Sequence, residues 1–203
     1  MAFLALPLDP RVSQSILAGL DPLRSTCPEI KWQQTADYHI TLRFLGACPE
    51  DKLAQIIESL RLIAPSAPMH QLQVGELSFF PERHGRAIIW VGIKKMPPPL
   101  MKLAHDLEAW ARGMGFTPEF RPFVPHITVG RCSTLEYTAI KSQLSAFQCP
   151  HPDIWDVTKY ALMILSPDGH STHGEPIYQQ RISIILDDPS PNSEAFGLSQ
   201  EKT

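Results

Sequence analysis

The hydrophobic positions of the chain recur with two spacings, which predict helices and strands that alternate along it. Apolar residues three or four positions apart predict amphipathic helices that begin near Pro10, Pro49, Pro97 and Ser133. Short runs rich in β-branched and aromatic residues predict strands, and the continuous apolar run that contains Trp90 predicts a buried strand with this residue in the core. The predicted strands cover residues 3–8, 30–34, 38–45, 72–79, 86–93, 123–129, 160–165 and 177–186.

Capping and breaking residues set the predicted helix boundaries. Asp9 and Pro10 supply the N-cap and the first turn of the first helix, and Gly19 lies near its predicted end. Ser133 and Glu136 have the spacing of a capping box at the start of the fourth helix.

The two halves of the chain repeat one order of elements, which is strand, helix, histidine-containing strand, helix. This order, without detailed sequence identity, indicates a weak internal duplication. Two such halves related by a pseudo-twofold axis would face each other across one cleft. Residues 187–203 are rich in Pro, Ser, Asn, Glu and Lys with little to bury, so we predict a disordered tail there.

Two of the predicted strands carry the same motif, a histidine and a threonine separated by one aliphatic residue and followed by another. The motif is His39-Ile40-Thr41-Leu42 in the first half and His126-Ile127-Thr128-Val129 in the second. Residues i and i+2 of a strand point to the same face, roughly 7 Å apart. Each motif therefore presents an imidazole and a hydroxyl together. Two such strands could surround an oxyanion, so these residues predict a phosphate site.

The full motif is unlike the bare H-x-T spacing, which occurs a third time at His170-Ser171-Thr172 in a Pro/Gly/Ser-rich segment without the aliphatic residues. From ordinary amino-acid usage, we expect about 0.04 occurrences of the full motif among the eight histidines of the chain. A single strand histidine is most often structural, but two independent copies of the motif by accident are improbable.

The charge balance of the chain limits the class of nucleic acid that it can bind. The 203 residues include 19% charged residues and carry a net charge of −3. Binding of long duplexes normally rests on many Lys and Arg contacts to phosphates, so this composition argues against it. A small or terminal anionic substrate is compatible with it.

Cysteine spacing and the apolar segments predict a cytoplasmic protein. The four cysteines form no C-x-x-C pair and have no metal-ligand spacing with histidine, which fits a reducing compartment. The apolar start of the chain lacks a basic region and is interrupted by Pro7 and Asp9, so we interpret it as a core strand and not as a signal peptide. No run approaches the ~18 apolar residues of a membrane span. We expect no membrane association and no obligate protein partner.

The chain resembles the two-histidine (2H) phosphoesterase superfamily in the doubled motif and in the stretches FLALPLDP, HITLRFLG, RAIIWVGI and RPFVPHITVGR. Within it, the resemblance is to the LigT-like RNA 2′,3′-cyclic phosphodiesterases, also called 2′-5′ RNA ligases. It covers about residues 1–186 in order. It implies an α+β, bilobal, duplicated fold in which two antiparallel β-sheets line a central cleft with helices on the outside. We therefore expect one domain over residues 1–186.

The resemblance also implies roles for individual residues. His39 and His126 match the catalytic pair, Thr41 and Thr128 match the phosphate-binding hydroxyls, and Arg131 matches the basic residue that follows the second motif. The implied reaction is hydrolysis of a 2′,3′-cyclic phosphate to a 2′-phosphate without metal or other cofactor. RNA ends or small cyclic nucleotides are the implied substrates.

The two residues after the first motif are Arg43 and Phe44. Phe44 matches an aromatic position that can stack on a base, and Arg43 stands where some relatives have a small residue. Strict alternation places Arg43 on the face of His39 and Thr41, where it could contact substrate. The same alternation places Phe44 on the Ile40 face, so stacking would need a bulge or a turn at the strand end.

The chemistry of ring opening explains why a histidine pair is suited to this reaction. Water must attack in line with the departing ribose oxygen, while one group takes the water proton and another donates a proton to the leaving oxygen. Histidine serves both tasks because its pKa lies near 6.5. The two similar motifs do not indicate which histidine is the acid and which is the base.

Other activities fit the same motif. One alternative is 2′-5′ RNA ligation or action on another cyclic or 2′-5′-linked nucleotide. A second is a non-catalytic module that binds RNA ends, against which the presence of both histidines and both threonines argues.

Overall fold

The computed structural model describes residues 1–62, 68–166 and 177–186. The tail predicted at 187–203 and the third H-x-T sequence at 170–172 lie outside the described residues.

The helices of the described chain begin within one residue of their predicted starts. Asp9 caps the first helix by accepting a hydrogen bond from the backbone N–H of Arg11, and Pro10 is its first residue. At the fourth helix, Ser133 and Glu136 form the predicted capping box. The helices are α1 (Pro10–Thr26), α2 (Glu50–Leu62), α3 (Pro98–Gly113) and α4 (Thr134–Leu144).

The predicted end of α1 near Gly19 is wrong, because the helix continues to Thr26. A Cβ atom at Gly19 would lie 2.5 Å from the backbone oxygen of Gln148. This glycine therefore permits a close approach of the segment that follows α4, and it does not end the helix.

The strands of the described residues form one nine-stranded antiparallel sheet in two similar halves. One half has the order β7-β4-β5-β6 and the other β3-β1-β8-β9, with β3 paired to β6 at the centre and the short β2 paired to β6. The α+β class is confirmed, and the two expected sheets are the halves of this one sheet. The strands are β1 (Ala2–Pro7), β2 (Lys31–Trp32), β3 (His39–Gly46), β4 (His70–Pro81), β5 (Arg86–Ile93), β6 (His126–Ser133), β7 (Ile154–Val157), β8 (Lys159–Leu165) and β9 (Tyr178–Ile185).

One hydrophobic core lies between the sheet and the helices. It contains Ile40 and Ile127 from the two motif strands together with apolar residues from all four helices. The helices therefore cover one face of the sheet and leave the other face, which carries the histidines, for the cleft. The apolar start of the chain is the buried strand β1, as predicted. No helix among the described residues is long and apolar enough to cross a membrane.

Candidate active site

The two H-x-T motifs lie beside each other where the halves of the sheet join. β3 and β6 are antiparallel and pair through Ile40 and Ile127, the central residues of the motifs. This register places each histidine across from the threonine of the other motif. Both isoleucines are fully buried on the helix side, so the histidines and threonines point to the open face. The structure thus brings the four predicted side chains together.

The two imidazole rings are held in the same way. Nδ1 of His39 lies 2.7 Å from the backbone oxygen of Asp37, and Nδ1 of His126 lies 2.7 Å from the backbone oxygen of Val124. A carbonyl oxygen can only accept, so Nδ1–H donates in both rings. Nε2 of each ring is therefore the nitrogen that can take up or release a proton during a reaction.

Burial keeps both imidazoles neutral at neutral pH. It lowers the pKa of His39 to about 4, against the hydrogen bond to Asp37, and the nearby charges of His126 and Arg131 lower this pKa further. Burial also lowers the pKa of His126, and the hydrogen bond to Val124 opposes that shift. A bound phosphate would raise both values because its negative charge favours the protonated rings.

Each motif strand contains a β-bulge at the last residue of its motif. β3 skips Leu42 in its pairing with β1, and β6 skips Val129 in its pairing with β5. An extra residue reverses the alternation of side chains beyond it. As a result, Phe44 in β3 and Arg131 in β6 are exposed at equivalent positions, on the face of the sheet that carries the motif histidines and threonines.

Phe44 lies on the His39 side of the sheet and not on the Ile40 side that strict alternation predicts. Its ring stacks on Phe3 with 5.7 Å between centroids, and Phe3 stacks on His39 at 4.8 Å. The side chain of Phe44 is 41% exposed. It therefore offers aromatic surface at the edge of the histidine site.

The prediction that Arg43 shares the face of His39 is wrong, because the bulge turns its side chain to the helix side. Arg43 is 4% exposed and forms ion pairs with Glu108 of α3 at 2.5 Å and with Glu119 at 3.2 Å. It also donates hydrogen bonds to the backbone oxygens of Phe44 and Thr117. Arg43 thus ties β3 to α3 and to the segment before β6, and it is not placed to contact a substrate.

Arg131 lies within electrostatic reach of the His39 end of the site. Burial raises the pKa of Tyr178, and the positive charge of Arg131 opposes that rise. The same charge acts on His39. The exposed guanidinium is therefore available to an anion held between the motifs.

Sequence reasoning missed the residues that position His39. Asp37 is 4% exposed, and its carboxylate accepts hydrogen bonds from the backbone N–H groups of Ile177, at 2.8 Å, and Tyr178. Burial raises the pKa of this carboxyl, against those two donors. The ring of Tyr178 meets His39 edge-on at 5.3 Å. Asp37 thus orients His39 through its backbone oxygen and fixes the start of β9 through its side chain.

The prediction that Trp90 belongs to the core is also wrong. Its side chain is half-buried on the motif face, with its ring centroid 5.9 Å from that of His126. Phe80 of β4 meets His126 edge-on at 5.0 Å. Aromatic rings therefore flank both histidines, and only the position of Phe44 had been indicated by the resemblance.

The side-chain groups of the two motifs that could act as metal ligands are two imidazoles and two hydroxyls. Mg²⁺ and Ca²⁺ prefer carboxylate and carbonyl oxygens, so these side chains are a poor ligand set for them. Over residues 1–62, 68–166 and 177–186, no three His, Cys, Asp or Glu side chains are grouped closely enough to hold a metal ion.

Comparison with known proteins finds relatives for much of this chain. Residues 6–90 match the family model described as LigT like phosphoesterase. An RNA 2′,3′-cyclic phosphodiesterase of Geobacillus stearothermophilus is 35% identical over 129 residues, which is 64% of this chain and 41% of that protein. Another of the same name from Methanothermobacter thermautotrophicus is 31% identical over 130 residues, which is 64% of this chain and 70% of that protein. The match thus spans less than half of the first relative and more than two thirds of the second.

Solved structures share the fold over nearly the whole chain. A protein described as a phosphoesterase has a TM-score of 0.70 and 23% identity, and the match covers 92% of this chain and 98% of that one. LigT of E. coli complexed with 3′-AMP has a TM-score of 0.68 and 23% identity, with 91% and 97% covered. The likeness in fold therefore includes the second half, which contains His126.

Proposed function

Because this chain belongs to the LigT-like phosphoesterase family, we propose that it is an RNA 2′,3′-cyclic phosphodiesterase. It opens the cyclic phosphate at an RNA end, or in a small cyclic nucleotide, to a 2′-phosphate without a metal ion. The observation that carries the proposal is the antiparallel register about Ile40 and Ile127. With this register, two imidazoles of the same tautomer border one space. An in-line reaction at phosphorus requires an acid and a base on opposite sides of it.

The reaction uses two proton transfers, one at each histidine. The neutral imidazole accepts a proton at Nε2 from the attacking water, whose oxygen forms the new bond to phosphorus. The protonated imidazole donates its Nε2 proton to the ribose O3′ as the P–O3′ bond breaks. The product carries a 2′-phosphate and a 3′-hydroxyl, and exchange with solvent restores the starting protonation of the pair.

The remaining polar groups stabilise the charge that develops on phosphorus. The hydroxyls of Thr41 and Thr128 can donate to its non-bridging oxygens from the two strands. Arg131, exposed on the same side, adds a positive charge. Fixed donors aimed at developing charge are commonly the largest single contribution to such catalysis.

We expect kcat/KM to follow a bell-shaped pH profile with an optimum between about 4 and 6.5, on the acid side of the ordinary histidine value. The profile of kcat/KM reports ionisation of the free enzyme, in which burial lowers the pKa of His39 to about 4 and lowers that of His126 from 6.5. At lower pH both rings are protonated and the base is lost. At higher pH both are neutral and the acid is lost, so the two limits belong to the pair. Initial rates on adenosine 2′,3′-cyclic phosphate across the acid and neutral range measure this profile.

A rate that is flat through this range, or that rises steadily with pH, would contradict the acid and base pair. Two alternatives predict different observations. Joining of RNA ends would favour 2′-5′ ligation. Binding of adenosine 2′-monophosphate without any turnover of cyclic substrates would favour a non-catalytic module for RNA ends.

Phe44→Ala is expected to weaken binding of a short RNA that ends in a 2′,3′-cyclic phosphate while leaving kcat nearly unchanged. The exposed ring can stack on a base, which is worth about 1–3 kcal/mol. Steady-state kinetics measure the change in KM and kcat. Met101→Ala, which removes a side chain of similar exposure from α3, is the matched control. A less stable Phe44 variant with unchanged affinity would show that this ring serves packing alone.

We also propose that residues 1–186 form a single domain and that the protein acts in the cytoplasm. Support for the boundary comes from Leu186, which is 2% exposed and donates its backbone N–H to the oxygen of Thr158. The cysteines Cys27, Cys48, Cys132 and Cys149 are free thiols, as a reducing compartment would keep them.

A further inference from the structure

The two halves of the site differ at one pair of equivalent positions. Ala5 of β1 is the partner of Thr41, and Trp90 of β5 is the partner of Thr128. β1 and β5 hold equivalent places in the sheet, each next to a motif strand. Ala5, with a single methyl group, and Trp90, with the largest common side chain, therefore lie at equivalent positions beside the two motifs.

This difference opens space on one side of the site and closes it on the other. Beside His126, the rings of Trp90 and Phe80 stack at 4.7 Å and occupy the space. Beside His39, a pocket of about 250 Å³ remains, and Ala5 forms part of its wall.

The lining of this pocket suits an uncharged, flat group. His39 and Tyr178 belong to its wall, so the pocket shares His39 with the proposed phosphate site. None of the described residues that line it is Lys or Arg, and the one carboxylate among them, Asp37, is held by backbone amides. A second phosphate would therefore meet a negative charge on this described wall and no positive one. Apolar atoms of Leu8 and other residues provide the contact surface for an aromatic group.

Resting on the function proposed above, we propose that this pocket binds the base of the terminal nucleotide, the one that carries the cyclic phosphate. The volume of 250 Å³ lies just below the roughly 300 Å³ at which sites for larger small molecules begin, so it suits a base and not a whole nucleotide. The terminal nucleoside then lies on the His39 side. Phe44 does not line the pocket, which leaves it for the preceding base of an RNA chain.

Filling the pocket tests this assignment. Met163→Trp adds bulk at a half-buried position of β8 in the pocket wall, and Ala36→Trp adds bulk from an exposed position of the same wall. Met101→Trp, on the exposed surface of α3, is the control. The substrates are adenosine 2′,3′-cyclic phosphate and ribose 2′,3′-cyclic phosphate, which lacks the base.

Both pocket variants are expected to lower kcat/KM for the adenosine substrate by about fivefold or more, since contacts to a base are commonly worth at least that factor. The ribose substrate should change by less than about twofold, and the control should change neither. If both variants keep the wild-type ratio of kcat/KM between the two substrates, either because neither value falls or because both fall equally, the pocket assignment is overturned. Failure of the wild-type protein to hydrolyse either substrate would instead refute the proposed function.

Discussion

Replacing either His39 or His126 with alanine is expected to lower kcat on a 2′,3′-cyclic nucleotide by ~10²–10⁴-fold. Each ring presents Nε2 from a fixed tautomer, and the reaction uses one nitrogen as acid and the other as base in a single transition state. Loss of one ring therefore removes a transfer that the other cannot replace. Initial rates under saturating substrate, with circular dichroism to verify the fold, measure the effect.

His70→Ala is the matched control for these variants. His70 also begins a strand, and its Nδ1 lies 2.9 Å from the backbone oxygen of the residue two positions earlier, Pro68. It shares the geometry of the other two histidines without an H-x-T motif. Near-normal activity of a folded His39→Ala or His126→Ala protein would refute the histidine-pair mechanism.

Arg43→Ala is expected to lower the free energy of unfolding by about 1–3 kcal/mol, because it leaves partly buried acceptors without the donor that Arg43 supplies. The guanidinium is 4% exposed and contacts Glu108 and Glu119. Its two backbone acceptors also lose their donor. Urea unfolding followed by circular dichroism measures the loss.

Arg112→Ala provides a control at the same carboxylate. Arg112 pairs with Glu108 at 2.8 Å, but its side chain is 56% exposed, and exposed pairs contribute about 0–1 kcal/mol. Equal effects of the two substitutions would mean that the burial of Arg43 adds nothing. A normally stable Arg43→Ala protein with raised KM would restore the idea that this residue contacts substrate.

The central parts of the site could be predicted because they follow local rules. The strand period places His39 and Thr41 on one face whatever the rest of the fold is, and the repeat of the motif in the second half gives the partner strand. β5 has the predicted bounds, Arg86–Ile93, because its apolar run ends abruptly on both sides. The capping box at Ser133 is likewise a local signal.

The bulges could not be predicted, because a single extra residue leaves no mark in the hydrophobic pattern. Arg43 and Gly130 occupy equivalent positions next to the two bulges, and the surrounding structure accommodates the two residues in different ways. Arg43 reaches ion pairs on the helix side, whereas a Cβ at Gly130 would lie 2.7 Å from Cγ2 of Ile30. Only tertiary contacts distinguish these solutions, so strict alternation misplaced both Arg43 and Phe44.

Residues distant in sequence account for the other differences. Tyr178 reaches His39 only because Asp37 holds the start of β9. The close approach of Gln148 explains why Gly19 lies within α1 and not at its end. β7 was not predicted, since its four residues form a strand only by pairing with the first residues of β4.

The identity of the product formed from adenosine 2′,3′-cyclic phosphate in excess EDTA tests the central claim most directly. The histidine pair needs no metal ion, so we predict that adenosine 2′-monophosphate is the sole product and that its rate of formation does not change when the chelator is added. Chromatography against the 2′- and 3′-monophosphate standards resolves the two isomers. Formation of the 3′ isomer, or loss of activity in EDTA with recovery on addition of a divalent metal, would contradict the account.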